Sequence, residues 1–273
     1  MEKIKDINDK RLAAYSSLKG KKLERDGIFI AEGEKVVRSM LDSGCKIASC
    51  LTATGAVSKY KSLLSAMAKR GAEVYVAPDE LIENIIGFRF HKGIMAVGYC
   101  PKKLTIADRF KDHRRGLLLV ALNAINDPQN VGLIARNAAA FGADALIVDN
   151  ATYDPYYRKA VRVSMGTIFG LPVCYENDLA SSLTRLKKKH GMRIIAATPG
   201  RGAKDISKVE LSDNICFVFG NEDKGISRPV LNVADTKVRI PIQDTVDSLN
   251  VASASAVCLY EASRRYSRKV GKR

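Results

Sequence analysis

Three short stretches hold the residues whose types and spacing could do chemistry. Asp127 to Arg136, Gly220 to Gly225 and Pro241 to Asn250 share one design, an apolar strand ending in Gly or Pro with polar residues beyond. Glycine there lets backbone amides and carbonyls touch a ligand closely. An adenine or a ribose held mainly by main-chain groups would fit such loops, although each glycine taken alone could equally serve a tight turn. Gly220 to Gly225 reads GNEDKG, which has neither the G-x-G-x-x-G pattern nor a Walker lysine arrangement. His91, His113 and His190 lack metal-ligand spacing, so no metal centre is expected. No serine sits in a nucleophile elbow, and no cysteine is flanked by a base. Polar side chains without a metal or a covalent nucleophile suit group transfer from an activated cofactor, where positioning and electrostatics carry most of the catalysis.

The elements that must position these loops alternate between strand and helix. Leu117 to Leu122 is an uninterrupted apolar run and reads as a buried strand. The Asp127-Pro128 pair and Gly132 predict a turn. Leu133, Ile134, Ala138 and Phe141 then give helical spacing, with Gly142 placed as the stop. This places Asn130 and Arg136 on or near a polar loop at the carboxyl end of a strand, where open α/β sheets put their ligands. Further on, strands are expected at Ala145 to Val148, Ile194 to Ala197, Ile215 to Phe219 and Lys237 to Ile240. Helices are expected at Leu179 to His190 and Leu249 to Ser263, with one short helical turn between Asp223 and Val230. Upstream, the spacing predicts strands at Gly27 to Ala31, Cys45 to Leu51, Glu73 to Val76 and Ile94 to Tyr99. The intervening helices are Glu34 to Leu41, Tyr60 to Lys69 and Pro78 to Ile86. The fold class is therefore α/β, with a mostly parallel sheet in the second half. Domains are expected at 1–100 and 116–273, with a charged linker at 101–115 that includes Arg114 and Arg115.

Composition narrows the partners. The 273 residues include 45 Lys and Arg against 29 Asp and Glu, a formal charge of +16, which points to a polyanion. Arg11, Lys19, Lys21, Lys22 and Arg25 are candidate phosphate contacts or a solvated helix face, Arg201 sits in a basic loop, and Arg264, Arg265, Arg268, Lys269, Lys272 and Arg273 make a basic tail. Tyr153, Tyr156 and Tyr157 interleave with Arg158, Lys159 and Arg162, a weak signature of a nucleic-acid surface that also describes half-buried residues beside a turn. No apolar run approaches ~20 residues, so no membrane span is expected. The N-terminal MEKIKDINDK lacks an apolar signal core, so the expected location is the cytoplasm. Cys45, Cys50, Cys100, Cys174, Cys216 and Cys258 lack close paired spacing and read as reduced core residues.

Three motifs in order make the second half resemble the SpoU (TrmH) family of RNA 2′-O-ribose methyltransferases in the SPOUT superfamily. They are NDPQNVGLIARNAAAFG (Asn126 to Gly142), FVFGNEDKGIS (Phe217 to Ser227) and IPIQDTVDSLNVASASAV (Ile240 to Val257). SMGTIFGLPV (Ser164 to Val173) also fits the family's segment between the first two. The first half is similar to the small α/β (L30e-like) substrate-binding domain of many members through FIAEGEKVV (Phe29 to Val37) and HKGIMAV (His91 to Val97), with Lys92 where the family usually has Gln.

The resemblance implies a C-terminal SPOUT α/β domain with a deep trefoil knot, which sequence physics alone would reject. It implies S-adenosyl-L-methionine (SAM) as cofactor, held by backbone groups of Gly220, Ile240 and Leu249, and a homodimer formed through the C-terminal domain. Arg136 matches the catalytic arginine, and Asn130, Glu222, Ser248 and Asn250 match the other polar site positions. Arg136 is expected to orient the ribose hydroxyl, Asn130 to position the ribose or Arg136, and Glu222 to hold Arg136 or Asn250. The implied partner is RNA, 23S ribosomal RNA first. Transfer RNA, or a catalytically silent RNA-binding protein of the same fold, is the alternative.

Overall fold

The computed structural model describes residues 1–16, 27–87, 89–112, 116–200, 202–211, 213–243 and 245–265. The expected phosphate contacts Lys19, Lys21, Lys22 and Arg25 lie outside them, as do Arg201, Arg268, Lys269, Lys272, Arg273, His113, Arg114 and Arg115. The chain forms two compact units, Met1–Lys102 with Tyr156–Gly170, and Lys103–Pro155 with Leu171–Arg273.

In the first unit β1 (Glu2–Lys3), β2 (Ile28–Glu32), β3 (Ile47–Ala53), β4 (Glu73–Ala77) and β5 (Ile94–Tyr99) form one sheet in the order β1-β4-β3-β5-β2. β3 pairs with β4 in parallel, whereas β5 runs antiparallel to both β2 and β3. The helices Glu34–Asp42, Lys61–Lys69 and Asp79–Ile86 bury Val37, Met40, Leu64, Met67 and Ile82, as their apolar spacing requires. Arg11 is not a free cation here: its guanidinium pairs with Glu2 and Asp9.

Residues 156–170 were expected in the second domain but are counted with the first unit. Arg158 meets the buried Glu32 at 2.8 Å, and the Phe29 ring packs against Tyr156 and Phe169 at centroid distances of 5.6 and 5.0 Å. Gly98 makes room for that ring, since a Cβ there would lie 2.4 Å from it. The Tyr-Arg stretch is therefore partly packing material, with Tyr156 buried and Arg158 held by Glu32.

The second unit is a seven-stranded sheet in the order β10-β12-β9-β11-β6-β7-β8, parallel at every pairing. Its strands are β6 (Leu118–Asn123), β7 (Ala145–Asp149), β8 (Val173–Glu176), β9 (Arg193–Ala197), β10 (Lys204–Asp205), β11 (Ile215–Gly220) and β12 (Thr236–Arg239). Every residue of β6 and β11 is buried, as their continuous apolar runs imply for central strands covered on both faces. Leu119, Ile147, Ile194, Cys216 and Val218 share one apolar core with Leu183 and Leu186 of the helix Leu179–His190. β10, only two residues long, carries no sequence signal of its own.

Two further expectations change. The stretch read as a linker is partly built into the second unit: Leu104 bridges to Cys174, Thr105 and Asp108 form a reciprocal capping box, and Phe110 is buried in the core. A Thr-x-x-acid pattern before a short helix is the signal that was missed. The first-motif helix starts at Pro128, not Leu133, because Asp127 caps it by accepting from the Gln129 amide at 2.9 Å. Proline at the first helical position is favoured, not disruptive. Asn130 and Gly132 therefore lie within a helix, and Asn130 is buried.

Among the described residues no helix is long and apolar enough to cross a membrane. Four cysteines are buried, and Cys45 and Cys100 are of intermediate exposure.

Candidate functional site

The carboxyl ends of the central strands of the second unit open into a cavity of about 580 Å³. Gly220 at the end of β11 and residues 198–200 after β9, 221–226 after β11, 240 and 242 after β12, and 248–250 before the last helix form its walls, with Val251, Ala254 and Cys258 of that helix (Val251–Arg265) closing one side. In a parallel sheet these loops all leave the same edge, so residues far apart in sequence meet there.

Glycine is obligatory at 220. A Cβ would lie 2.4 Å from the Ile226 amide nitrogen and 2.5 Å from the Gly225 carbonyl carbon, so only glycine lets the loop fold back on its own strand. Asn221 holds that return: its side-chain oxygen accepts from the amides of Asp223 and Lys224 at 3.0 and 2.9 Å, and the Gly225 amide donates to its carbonyl. Main-chain groups are thereby brought to the cavity wall.

Gly220, Ile240 and Leu249, the expected cofactor contacts, all line this cavity, and so do Glu222, Ser248 and Asn250. Asn130 does not line it, but two of the lining residues hold it. Its amide donates to the Glu222 carboxylate, and its oxygen accepts from the Asn250 amide at 3.0 Å. Asn250 also caps the final helix by accepting from the Ala252 amide at 2.9 Å. Glu222 was expected to hold Arg136 or Asn250 and instead takes Asn130, because the helix begins early enough to carry Asn130 within reach of Glu222 behind the wall. Arg136 is exposed on the same helix and has no side-chain hydrogen bond or ion pair among the described residues. Lys224 and Arg239 add positive charge to the lining, and Glu222 and Asp223 negative.

Sequence reasoning missed Asn137, which ties the two helices by donating to the Ala252 carbonyl at 2.8 Å and to Ser255 at 2.9 Å. It also missed Asn123 and Asp149, bonded at 2.6 Å below the rim. A polar residue ending an otherwise apolar strand, as Asn123 ends β6, is the signal that could have found the latter. Among the described residues no group of three or more His, Cys, Asp and Glu side chains is placed to hold a metal ion. Burial pushes the Cys258 thiol up to about 12, so at neutral pH the cavity wall holds a neutral thiol and no thiolate nucleophile.

A sequence model of the SpoU rRNA Methylase family matches residues 117–260. These residues contain all of the loops that build the cavity. The chain belongs to the SpoU rRNA Methylase family. An uncharacterised tRNA/rRNA methyltransferase of Mycobacterium tuberculosis is 31% identical over 97% of this chain and 92% of its own. A protein of Bacillus subtilis named as a 23S rRNA guanosine 2′-O-methyltransferase is 26% identical, covering 95% of this chain and 98% of its own. Among solved structures, an AdoMet-bound rRNA methyltransferase from Sinorhizobium meliloti superimposes with a TM-score of 0.85 at 26% identity, covering 97% of this chain and 98% of that one.

Proposed function

We propose that this SpoU-family protein is a SAM-dependent methyltransferase that modifies a ribose 2′-hydroxyl of 23S ribosomal RNA. The observation that carries the proposal is the convergence of Gly220, Ile240 and Leu249 on one cavity whose wall is braced by the Asn130–Glu222–Asn250 hydrogen bonds. The cavity is within the usual size range for a small-molecule site, roughly 300–1,000 Å³. Its lining also fits the group. Aliphatic side chains at Ile240, Ile242 and Leu249 suit a purine face, and the loop that Gly220 permits supplies backbone donors and acceptors for its polar edges.

SAM supplies a methyl group on a positively charged sulfur whose departure needs no proton. The remaining work falls to the protein. An alcohol is a poor nucleophile until its proton leaves or its developing charge is stabilised. The guanidinium of Arg136 carries N–H donors and no acceptor, so it acts as a donor that orients the 2′-oxygen and stabilises developing negative charge, not as a base. The proton passes to a substrate phosphate or a neighbouring polar group. Asn130, locked by Glu222 and Asn250, positions the ribose, and Ser248 contributes a polar contact from the facing loop.

The proposal extends to a homodimer. Leu133 on the first-motif helix and Val257 and Tyr260 on the last helix are 37%, 36% and 50% exposed, which supports a second copy covering this pair of helices. The expected trefoil knot is supported by strand order: β11 sits between β6 and β9, β12 lies beyond β9, and the final helix then returns to Pro128–Ala140. Residues 1–100 serve as the RNA-binding part, 116–273 as the catalytic and dimerising part, and the cytoplasm is the site of action. The mycobacterial relative's name includes tRNA, which keeps transfer RNA as the second substrate.

Methyl transfer from isotope-labelled SAM to 23S rRNA and to tRNA, both from cells lacking the gene, tests the reading. Label is expected in 23S rRNA at a nucleotide resistant to alkaline cleavage. Label in tRNA alone moves the assignment to tRNA, and label in neither leaves only the RNA-binding alternative.

A further inference from the structure

We infer that Asp149, which does not line the cavity, is the positioning residue for the loop that does. The inference rests on the cofactor reading of that cavity. Asp149 ends β7, and its carboxylate gathers donors from two neighbouring segments. Asn123 donates at 2.6 Å and the Ala124 amide at 3.1 Å. The Ala151 and Thr152 amides donate at 3.2 and 2.9 Å and the Thr152 hydroxyl at 2.8 Å. Hydrogen bonds to an ionised carboxylate are stronger than neutral ones, and a network of them fixes orientation cooperatively.

The far end of this network reaches the third strand. With its amide held by Asp149, Asn123 turns its oxygen to the Ser227 amide, which donates at 2.7 Å. Ala124 is held in the left-handed region, at φ +59°, which an L side chain adopts only when its surroundings impose it. In that conformation its carbonyl accepts from the Asn221 amide at 3.0 Å. Asp149 therefore grips both ends of the 221–227 return, Asn221 through Ala124 and Ser227 through Asn123. Its carboxylate sets where the Gly220 loop presents its backbone groups.

The β6–β7 pairing does not depend on this clamp, because Leu119 to Leu122 pair with Ala145 to Val148 along a buried apolar ladder. Loop geometry and fold are thus separable. The test uses the full chain carrying Asp149→Asn, which keeps the shape but replaces one acceptor by a donor, with Asp149→Ala as the second variant. Amide hydrogen exchange without ligand is expected to quicken at 220–227 and to stay unchanged in β6 and β7. Affinity for SAM, measured by calorimetry, is expected to weaken on the order of tenfold. KM for SAM is expected to rise while kcat at saturating SAM changes by less than about threefold. Adding Ala124→Gly, which reaches φ +59° unaided, is expected to recover part of the affinity.

Unchanged exchange at 220–227, or exchange that quickens equally through β6 and β7, overturns the inference. Absence of any recovery with Ala124→Gly overturns the part that runs through Ala124. If the wild-type chain binds no SAM, the functional reading fails, and the exchange comparison still decides the role of Asp149 in placing the loop.

Discussion

The side-chain amide of Asn250 donates to the Asn130 oxygen at 3.0 Å, joining residues 120 positions apart. Asn130 in turn donates to Glu222, so one side chain in the first motif is fixed by the second and the third. Each bond fixes which end of the Asn130 amide is donor and which is acceptor. An asparagine there is thus a specified orientation and not merely a polar residue.

Asn130→Asp places a carboxylate against Glu222 and removes the donor between them. Methyl transfer is expected to fall by about two orders of magnitude, since a misplaced substrate group costs that much. The melting temperature should drop by a few degrees, in keeping with a cost of about 1–3 kcal/mol for a broken buried hydrogen bond. Turnover assays and thermal unfolding on the same preparation check both.

Asn250→Ala removes the cap of the last helix together with the bond to Asn130. A loss of about 1 kcal/mol in unfolding free energy is expected from the cap. A larger proportional loss in turnover is expected from the freed Asn130. Equal activity in wild type and variant would show that the bond is structural only.

Arg136→Ala should leave stability within about 0.5 kcal/mol, because the side chain is exposed and unpaired among the described residues. SAM binding should persist while methyl transfer is abolished. Near-normal turnover in this variant would remove Arg136 from the mechanism.

Gly220→Ala forces a Cβ to 2.4 Å from the Ile226 nitrogen, and the loop must move to accept it. SAM affinity is expected to be lost, and overpacking should cost about 1–3 kcal/mol in stability. Calorimetric titration beside thermal unfolding separates the two effects.

Alkaline pH should weaken the fold through its buried thiols. Burial pushes Cys50, Cys174 and Cys258 from the ordinary 9.0 to about 12, and Cys216 higher still. A group whose folded value is raised contributes stability that is whole below its unfolded value and is lost as pH rises through the folded one. Denaturant midpoints are therefore expected to hold up to about pH 9 and to fall between there and pH 12. At pH 8, alkylation of the native protein should favour Cys45 and Cys100, the two that are not buried.

The inventory of the site was legible in the sequence. The loops Gly220 to Gly225 and Pro241 to Asn250 could be read from their own residues, and the family resemblance named Gly220, Glu222, Ile240, Ser248, Leu249 and Asn250 in and beside them. These residues line one cavity because parallel strands deliver their loops to a common edge. The central strands were equally legible, since Leu118–Asn123 and Ile215–Gly220 are apolar for most of their length and stay buried on both faces. Such features are local, and a few neighbouring residues suffice to specify them.

Only the tertiary structure decided the pairings. Asp127-Pro128 reads as a turn or as a helix start, and the choice moved Asn130 from loop to helix and gave Glu222 a different partner. Residues 156–170 look like part of the second domain until Phe29 and Glu32 are seen to hold Tyr156, Phe169 and Arg158. The Asp149–Asn123–Ser227 relay spans β7, β6 and the loop after β11, its last two members 104 positions apart. Periodicity reports which face of its own element a residue occupies. It carries no information about which strand lies alongside, and that adjacency sets every bond on which the site depends.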